Sequence, residues 1–341
     1  MFKPLTKLRA ACALAFALAL IAACAAFNAA SLPAYAADAG SGYAVMELTT
    51  GTTLSESNSA ARLPMASTTK IMTALLVCED CDLDKVVTVP QEAVGVEGSS
   101  IYLKKDEQID VRDLLYGLML RSGNDSAVAL AIIHSGSVQA FVECMNARAK
   151  QLGADDTHFC NPNGLHDESH YTTARDLCKI ACAAMKNSIF RQVVGTKSWQ
   201  GRFRSYSNKN KMLYNFEGAT GVKTGYTTKA GRCLVSSAER DGMELVCVVL
   251  NEYDVYGRSS KLLNDCFARY QTYKLPREKV FMCKGVPCRT EKDFTFVAER
   301  GGEINYSCIP CEETQEGAPF GQLKIYRENN LIFSANLYSI V

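Results

Sequence analysis

A serine and a lysine stand three residues apart in Pro64-Met65-Ala66-Ser67-Thr68-Thr69-Lys70-Ile71-Met72-Thr73-Ala74-Leu75-Leu76, at the mouth of an apolar helical run. On a helix that spacing puts both side chains on one face, a turn apart, close enough to share a proton. A serine hydroxyl becomes a good nucleophile once a base takes its proton, and a lysine is such a base when it is held neutral. An ordinary lysine pKa is about 10.4, so bringing it near 7 takes roughly 4 kcal/mol of differential stabilisation. Burial in an apolar cleft and a second cation nearby are the available causes. Lys223 is the candidate cation. This stretch reads as a Ser67 nucleophile aimed at a carbonyl.

Alone, Ser-x-x-Lys is weak, because a chain of this length contains roughly one such tetrad by chance. Ser-x-Asn is equally common, and Ser334-Ala335-Asn336 is a second copy near the end. Lys-Thr-Gly is rarer. The order carries the signal: Ser67-Thr68-Thr69-Lys70, then Ser122-Gly123-Asn124, then Lys223-Thr224-Gly225. Penicillin-binding proteins and class A β-lactamases are recognised by this ordered set.

The elements that must hold these residues follow from periodicity. Gly42 to Leu48 reads as a strand, Thr49-Thr50-Gly51 as a turn and Thr53-Leu54 as a returning strand. The helix of Ser67 and Lys70 ends near Cys78 to Asp82. Asp110 can cap the next helix, whose Val111, Leu114, Leu115, Leu118 and Met119 make one apolar face before Gly123 stops it. Asn124 or Asp125 then caps the nearly all-apolar helix Ser126 to His134, so Ser122 and Asn124 sit on a tight connection between two buried helices. Gln139 to Leu152 is a further helix, and Asn161-Pro162-Asn163-Gly164 is the strongest turn of the polar loop Asp155 to Tyr171. A helix capped by Thr172 or Thr173 runs to Lys186.

Beyond Trp199 the pattern is β. Tyr206 to Leu213 is extended, Gly218 to Gly225 is glycine-rich and Arg232 to Ala238 alternates. Asp241-Gly242 turns into Met243 to Leu250, apolar enough for a central strand. Ser259 to Tyr273 is an amphipathic helix suited to cover that sheet. From Pro276 onward five short strands predict a small β-domain: Lys279 to Cys283, Phe294 to Val297, Ile304 to Ile309, Gly321 to Tyr326 and Leu331 to Leu337.

The 341 residues suit about two domains, and a formal net charge of +1 gives no reason to expect a nucleic-acid partner. Residues 1–36 read as a signal peptide: Lys3, Lys7 and Arg9, an apolar run from Ala10 to Phe27, and Ala34-Tyr35-Ala36 as a small-x-small cleavage site. An uncleaved anchor and a lipoprotein box at Ile21-Ala22-Ala23-Cys24 are the alternatives, and membrane contact stays open. Each puts the protein outside the cytoplasm, secreted or at the outer face of the membrane. Thirteen of the fifteen cysteines lie beyond the leader, an odd number that cannot pair completely. Disulfides and free thiols both stay open. Cys78-x-x-Cys81 and Cys308-x-x-Cys311 lie too far apart in sequence, with no histidine close by, to favour zinc, so no metal and no cofactor is expected. His158, His166 and His170 read as polar loop residues, with His170 at the cleft rim.

Taken with Leu120-Arg121-Ser122-Gly123-Asn124-Asp125-Ser126-Ala127, Asn161-Pro162-Asn163-Gly164-Leu165, His170-Tyr171-Thr172-Thr173-Ala174-Arg175-Asp176-Leu177 and Gly221-Val222-Lys223-Thr224-Gly225-Tyr226-Thr227, the three motifs resemble the low-molecular-weight penicillin-binding proteins, specifically serine D-alanyl-D-alanine carboxypeptidases of family S11. The resemblance implies an α+β fold, with a five-stranded antiparallel sheet flanked by helices over residues 37–275 and a small all-β domain over 276–341. It implies that Ser67 is acylated, Lys70 is the base and Ser122 relays a proton to the leaving D-alanine. Asn124 would hold the substrate amide, Lys223 and Thr224 the terminal carboxylate, and Gly225 would let the substrate backbone lie flat on its strand. The backbone N–H groups of Ser67 and Tyr226 would form the oxyanion hole. The implied substrates are peptidoglycan stem pentapeptides ending in D-Ala–D-Ala, with β-lactams such as penicillin as covalent inhibitors. Gly98-Ser99-Ser100 resembles a rim loop. Two other readings stand beside this one. A β-lactamase would need a placed deacylating glutamate, and no Glu-x-x-Leu-Asn segment lies between Ser122 and Lys223. A non-catalytic peptidoglycan-binding protein would not need Ser67, Lys70, Ser122 and Lys223 all intact.

Overall fold

The computed structural model describes residues 40–311 and 317–340. The signal-peptide reading of residues 1–36 lies outside the described residues. In chain order, the strands of the first part are β1 (Gly42–Glu47), β2 (Thr53–Ser57), the short pair β3 (Val86–Thr88) and β4 (Gln108–Asp110), the short pair β5 (Ser198–Gln200) and β6 (Ser205–Ser207), and then β7 (Ala219–Thr227), β8 (Gly231–Arg240) and β9 (Met243–Leu250). Five of them form an antiparallel sheet in the order β2-β1-β9-β8-β7, as expected. Asp241 (φ 52°) and Gly242 (φ 74°) turn β8 into β9, both in the left-handed region that a two-residue hairpin of matching twist requires.

β9 is the central strand, and all of its residues are buried. Its alternation explains the layers. Val246, Val248 and Leu250 face a core shared with the helical lobe, while Leu245, Cys247 and Val249 face a second core. The helices are α1 (Lys70–Asp80), α2 (Val111–Tyr116), α3 (Asn124–Ser135), α4 (Val138–Gln151), α5 (Ala174–Lys186), α6 (Ser188–Gly195), the single turn α7 (Met212–Asn215) and α8 (Val255–Arg269). Asp110, Ser137, Thr173, Asn187 and Asp254 cap α2, α4, α5, α6 and α8 by accepting from backbone N–H groups of the first turn. α8 lays Leu262, Leu263, Cys266 and Phe267 on the second core.

Several expectations shift. The helix predicted over Ser259 to Tyr273 starts earlier and ends at Arg269, and β10 (Tyr270–Leu275) follows directly. Tyr-Gln-Thr-Tyr suits a strand, and tertiary pairing with a later strand outcompetes the continuing helical pattern. Within Tyr206 to Leu213 only β6 is extended, because Met212 and Leu213 turn inward in α7. The sequence reading also missed α6.

The C-terminal strands are β10, β11 (Phe281–Cys283), β12 (Val286–Arg289), β13 (Phe294–Glu299), β14 (Ile304–Pro310), β15 (Gly321–Arg327) and β16 (Asn330–Ser339). β10 pairs with β13, and the others form an antiparallel sheet in the order β11-β12-β16-β15-β14. β12 was absent from the sequence reading. Phe281, Cys283, Phe296, Leu323 and Leu337 fill this domain's core. None of the thirteen described cysteines is joined to another.

Leu263 is fully buried between α8 and the sheet. Leu263→Ala is expected to cost about 2–5 kcal/mol, read as a lower urea midpoint at unchanged slope. An unchanged midpoint would mean that α8 carries little of the sheet's stability.

Candidate active site

Ala66–Thr69 forms a single 3₁₀ turn that leads straight into α1. Thr68 Oγ1 donates to Met65 O at 2.6 Å and Thr69 Oγ1 to Ala66 O at 2.8 Å, so the turn is tied by its own hydroxyls. Ser67 is half-buried, whereas Lys70 is fully buried one turn later. Lys70 Nζ lies 3.0 Å from Ser67 Oγ, 2.7 Å from Asn124 Oδ1 and 2.5 Å from the carbonyl oxygen of Asn163. Three chain segments therefore meet on one amine.

The Asn124 segment is the elbow between α2 and α3. α2 runs into a π-helical turn, Gly117–Arg121, which closes on Ser122. Ser122, not Gly123, takes the left-handed conformation, with φ 65°. A serine rarely adopts that backbone, and such local strain often accompanies a functional position. Ser122 is 8% exposed. Neither Asn124 nor Asp125 caps α3 from outside, since the helix begins at Asn124. Instead, Asn124 Nδ2 donates to Glu97 O at 2.6 Å, and its N–H donates to Ser99 O at 2.7 Å. The Asp125 carboxylate accepts from Ser100 Oγ and from the N–H groups of Ile101 and Leu103. The loop around Gly98-Ser99-Ser100 is thus sewn to the start of α3.

The third segment is the turn Asn161-Pro162-Asn163-Gly164. Thr73 Oγ1 donates to Pro162 O at 2.6 Å, one turn along α1 from the Asn163 carbonyl that meets Lys70. Gly164 (φ +86°) is the only residue type that fits here, because a Cβ would stand 2.0 Å from Ala66 O and 3.0 Å from Ser67 N. His170 ties the same loop down. Its Nδ1 accepts from Cys160 N at 2.9 Å, so Nε2 carries the proton and donates to Thr69 Oγ1 at 2.8 Å. His170 is thus a buried strut under the Ser67 turn, not a rim residue. Burial above all pushes its pKa down to about 3. His158 instead contacts Ser169 O, and His166 pairs with Glu168.

β7 passes along the other side of the turn. Lys223 is 2% exposed, and its Nζ donates to Thr224 O at 2.8 Å. Thr224 and Gly225 are half-buried, and Tyr226 is exposed. The structure adds a second reason for Gly225. A Cβ there would lie 3.1 Å from Met65 O and 3.2 Å from both Ala66 Cβ and Ser67 N, so glycine lets β7 approach the Ser67 turn closely. Burial holds the Lys70 ammonium well below its ordinary pKa; the charge of Lys223 adds to this, and Lys209 adds more weakly against an opposing Asp125. Burial first, then Lys209, brings Lys223 down to about 7. Both causes foreseen for a neutral Lys70 are present.

The profile of the D-alanyl-D-alanine carboxypeptidase family, peptidase S11, matches residues 27–254. The chain belongs to the S11 serine D-alanyl-D-alanine carboxypeptidases. It is 34% identical over 285 residues to D-alanyl-D-alanine carboxypeptidase DacF of Bacillus subtilis (strain 168), covering 76% of this chain and 73% of that one. It is 39% identical over 252 residues to the D-alanyl-D-alanine carboxypeptidase of Streptomyces sp. (strain K15), covering 67% and 86%. Among solved structures, penicillin-binding protein 5 of Haemophilus influenzae superposes with a TM-score of 0.79 at 29% identity, covering 88% of this chain and 96% of that one.

Four S11 site features escaped the sequence reading: the Asn163 carbonyl, the His170 strut, the Asp125 loop anchor and Lys209. The Asn161-Pro162-Asn163-Gly164 turn was visible, but nothing in it says that a main-chain oxygen will face Lys70. Lys209 stands beside the elbow, its N–H donating to Leu120 O at 3.2 Å, and only the fold brings it there.

A histidine of an unfolded chain titrates near 6.5, whereas His170 in the fold titrates at about 3. The folded state therefore binds fewer protons in that window. The stability tied to neutral His170 is present above pH about 6.5 and is lost as pH falls toward about 3. Thermal melts across that range should show this loss, and His170→Gln should flatten the slope. A slope unchanged by the substitution would assign the acid sensitivity to carboxylates instead.

Proposed function

We propose that this protein is an exported enzyme that removes the terminal D-alanine from peptidoglycan stem pentapeptides through an acyl-enzyme on Ser67, and that penicillin is a covalent inhibitor. The observation that carries this reading is the three-way contact of the Lys70 amine. A neutral amine has two N–H donors and one lone pair. Asn124 Oδ1 and the Asn163 carbonyl are acceptors only, so they take both donors. The lone pair is left for the third neighbour, Ser67 Oγ at 3.0 Å, whose O–H then donates to Lys70. In its neutral form Lys70 is oriented as the base for Ser67.

In the proposed cycle the peptide lies along β7 with its carboxylate at Lys223 and Thr224. Ser67 Oγ passes its proton to Lys70 and attacks the penultimate D-alanine carbonyl, while the N–H groups of Ser67 and Tyr226 receive the developing oxyanion. The C–N bond breaks, and the proton reaches the leaving D-alanine nitrogen from Lys70 by way of Ser122. The second Nδ2–H of Asn124, which does not bond Glu97 O, is available to the substrate amide. Water then cleaves the ester. The turn packed against Ser67 offers a carbonyl to Lys70 and no carboxylate, which favours a slowly hydrolysed penicilloyl ester over β-lactamase turnover. The leader composition and the location of such peptides support a site of action outside the cytoplasmic membrane.

Incubation with penicillin is expected to add one penicilloyl mass to the wild type that persists for minutes, and none to Ser67→Ala. Retention of the adduct in Ser67→Ala, or fast turnover of a chromogenic cephalosporin by wild type, would overturn the reading. The pH profile gives a separate check. Carboxylate binding needs protonated Lys223, so kcat/KM should fall as pH rises through about 7 in the free enzyme. Lys209→Ala removes one cause of that low value and should move the alkaline limb upward; a limb that does not move would locate it on another group.

A further inference from the structure

A cavity of about 460 Å³ opens where β7 ends, lined by Tyr226, Gly231, Arg232, Asn251, Glu252 and Tyr253. No motif of the sequence includes the last five. Resting on the carboxypeptidase reading above, we propose that this cavity is the subsite for the side chain of the residue preceding D-Ala–D-Ala, and that it takes a zwitterionic head, an amine beside a free carboxylate.

Direction along β7 puts that residue there. Lys223 and Thr224, which would hold the terminal carboxylate, precede Gly225, and the Cβ position of Gly225 is 3.2 Å from Ser67 N, where the scissile carbonyl must sit. A peptide with its C-terminal end at Lys223 therefore runs toward Tyr226 as it goes back from the cleaved bond. Tyr226, the residue after Gly225, already lines the cavity, and each extended residue advances about 3.3 Å, so the residue before D-Ala–D-Ala lies beside it.

The lining supplies the chemistry. The Arg232 guanidinium lies over the Tyr253 ring, 5.4 Å from its centroid, which fixes it without using its N–H donors. The Glu252 carboxylate accepts from Tyr253 N at 2.8 Å and is half-buried. Among the described residues neither group makes an ion pair, with the other or with anything else. A cation is thus held on the Tyr253 ring and an acid on the Tyr253 main chain, each with hydrogen-bonding capacity to spare. A carboxylate meets Arg232 in the two-pronged geometry that guanidinium favours, and an ammonium meets Glu252. Tyr226, 66% exposed, and Tyr253, 84% exposed, provide apolar faces for the methylenes between them and the backbone.

The test compares kcat/KM for three N-acetyl-X-D-Ala-D-Ala peptides in which X is norleucine, lysine or 2,6-diaminopimelic acid. Wild type is expected to prefer the diaminopimelyl peptide to the lysyl one, and the lysyl to the norleucyl one. Arg232→Gln should bring the diaminopimelyl peptide down about tenfold, to the level of the lysyl one; Glu252→Gln should bring both charged peptides down toward norleucine. Arg232→Lys, which keeps the charge, should restore part of the preference. Equal cleavage of all three by wild type, or a loss in the variants that is uniform across them, would overturn the subsite and leave the carboxypeptidase reading standing. Failure of folded wild type to cleave any of them would overturn both.

Discussion

A lysine amine kept out of water and met by two carbonyl oxygens is the interaction on which the rest of the site depends. Removing Lys70 from solvent disfavours its charge, and the neighbouring Lys223 disfavours it further. Desolvation alone would leave a neutral amine free to turn. The Asn124 and Asn163 oxygens remove that freedom, because each accepts a donor and neither can give one. Protonation state and orientation are then set together, and the lone pair is directed at Ser67.

Such an amine needs acceptors from distant parts of the chain, and each supporting segment is anchored for that purpose. The elbow that delivers Asn124 carries Ser122 in a left-handed backbone after a π-helical turn. The loop that delivers the Asn163 carbonyl reaches α1 only because Gly164 has no side chain, and His170 and Thr73 tie it down. β7 approaches from the third side at a contact that Gly225 permits. The central sheet and α1 give these segments a rigid base, since Lys70 to Cys78 and the whole of β9 are buried. Lys223 belongs to the same balance. Its buried charge lowers the pKa of Lys70 while its own pKa lies at about 7, so the charge states of the two amines are coupled.

Much of the fold was legible from residue pattern. Met243 to Leu250 reads as a central strand because every residue except Glu244 is apolar, and it is one. Asp110 and Thr173 read as caps and act as caps. The misreadings share a cause. Tyr270 to Tyr273 continues a helical pattern on paper but belongs to a strand that pairs with β13, and β12 is too short to show a period. Strand pairing depends on partners remote in sequence, which local periodicity does not report.

For the site the division follows covalent distance. The sequence alone determined that Ser67 and Lys70 share a helix face, that Ser122 and Asn124 share an elbow and that Lys223, Thr224 and Gly225 share a strand, because backbone geometry sets spacings within one element. It also named the family, through the order of those three motifs. Only the tertiary structure decided that Lys70 would be dry, that a main-chain oxygen from Asn163 would complete its contacts, and that His170 would stand beneath the turn. It also decided that Gly225 serves the approach of two backbones. Burial, a carbonyl's direction and the space a Cβ would need are properties of how segments meet, and no single segment carries them.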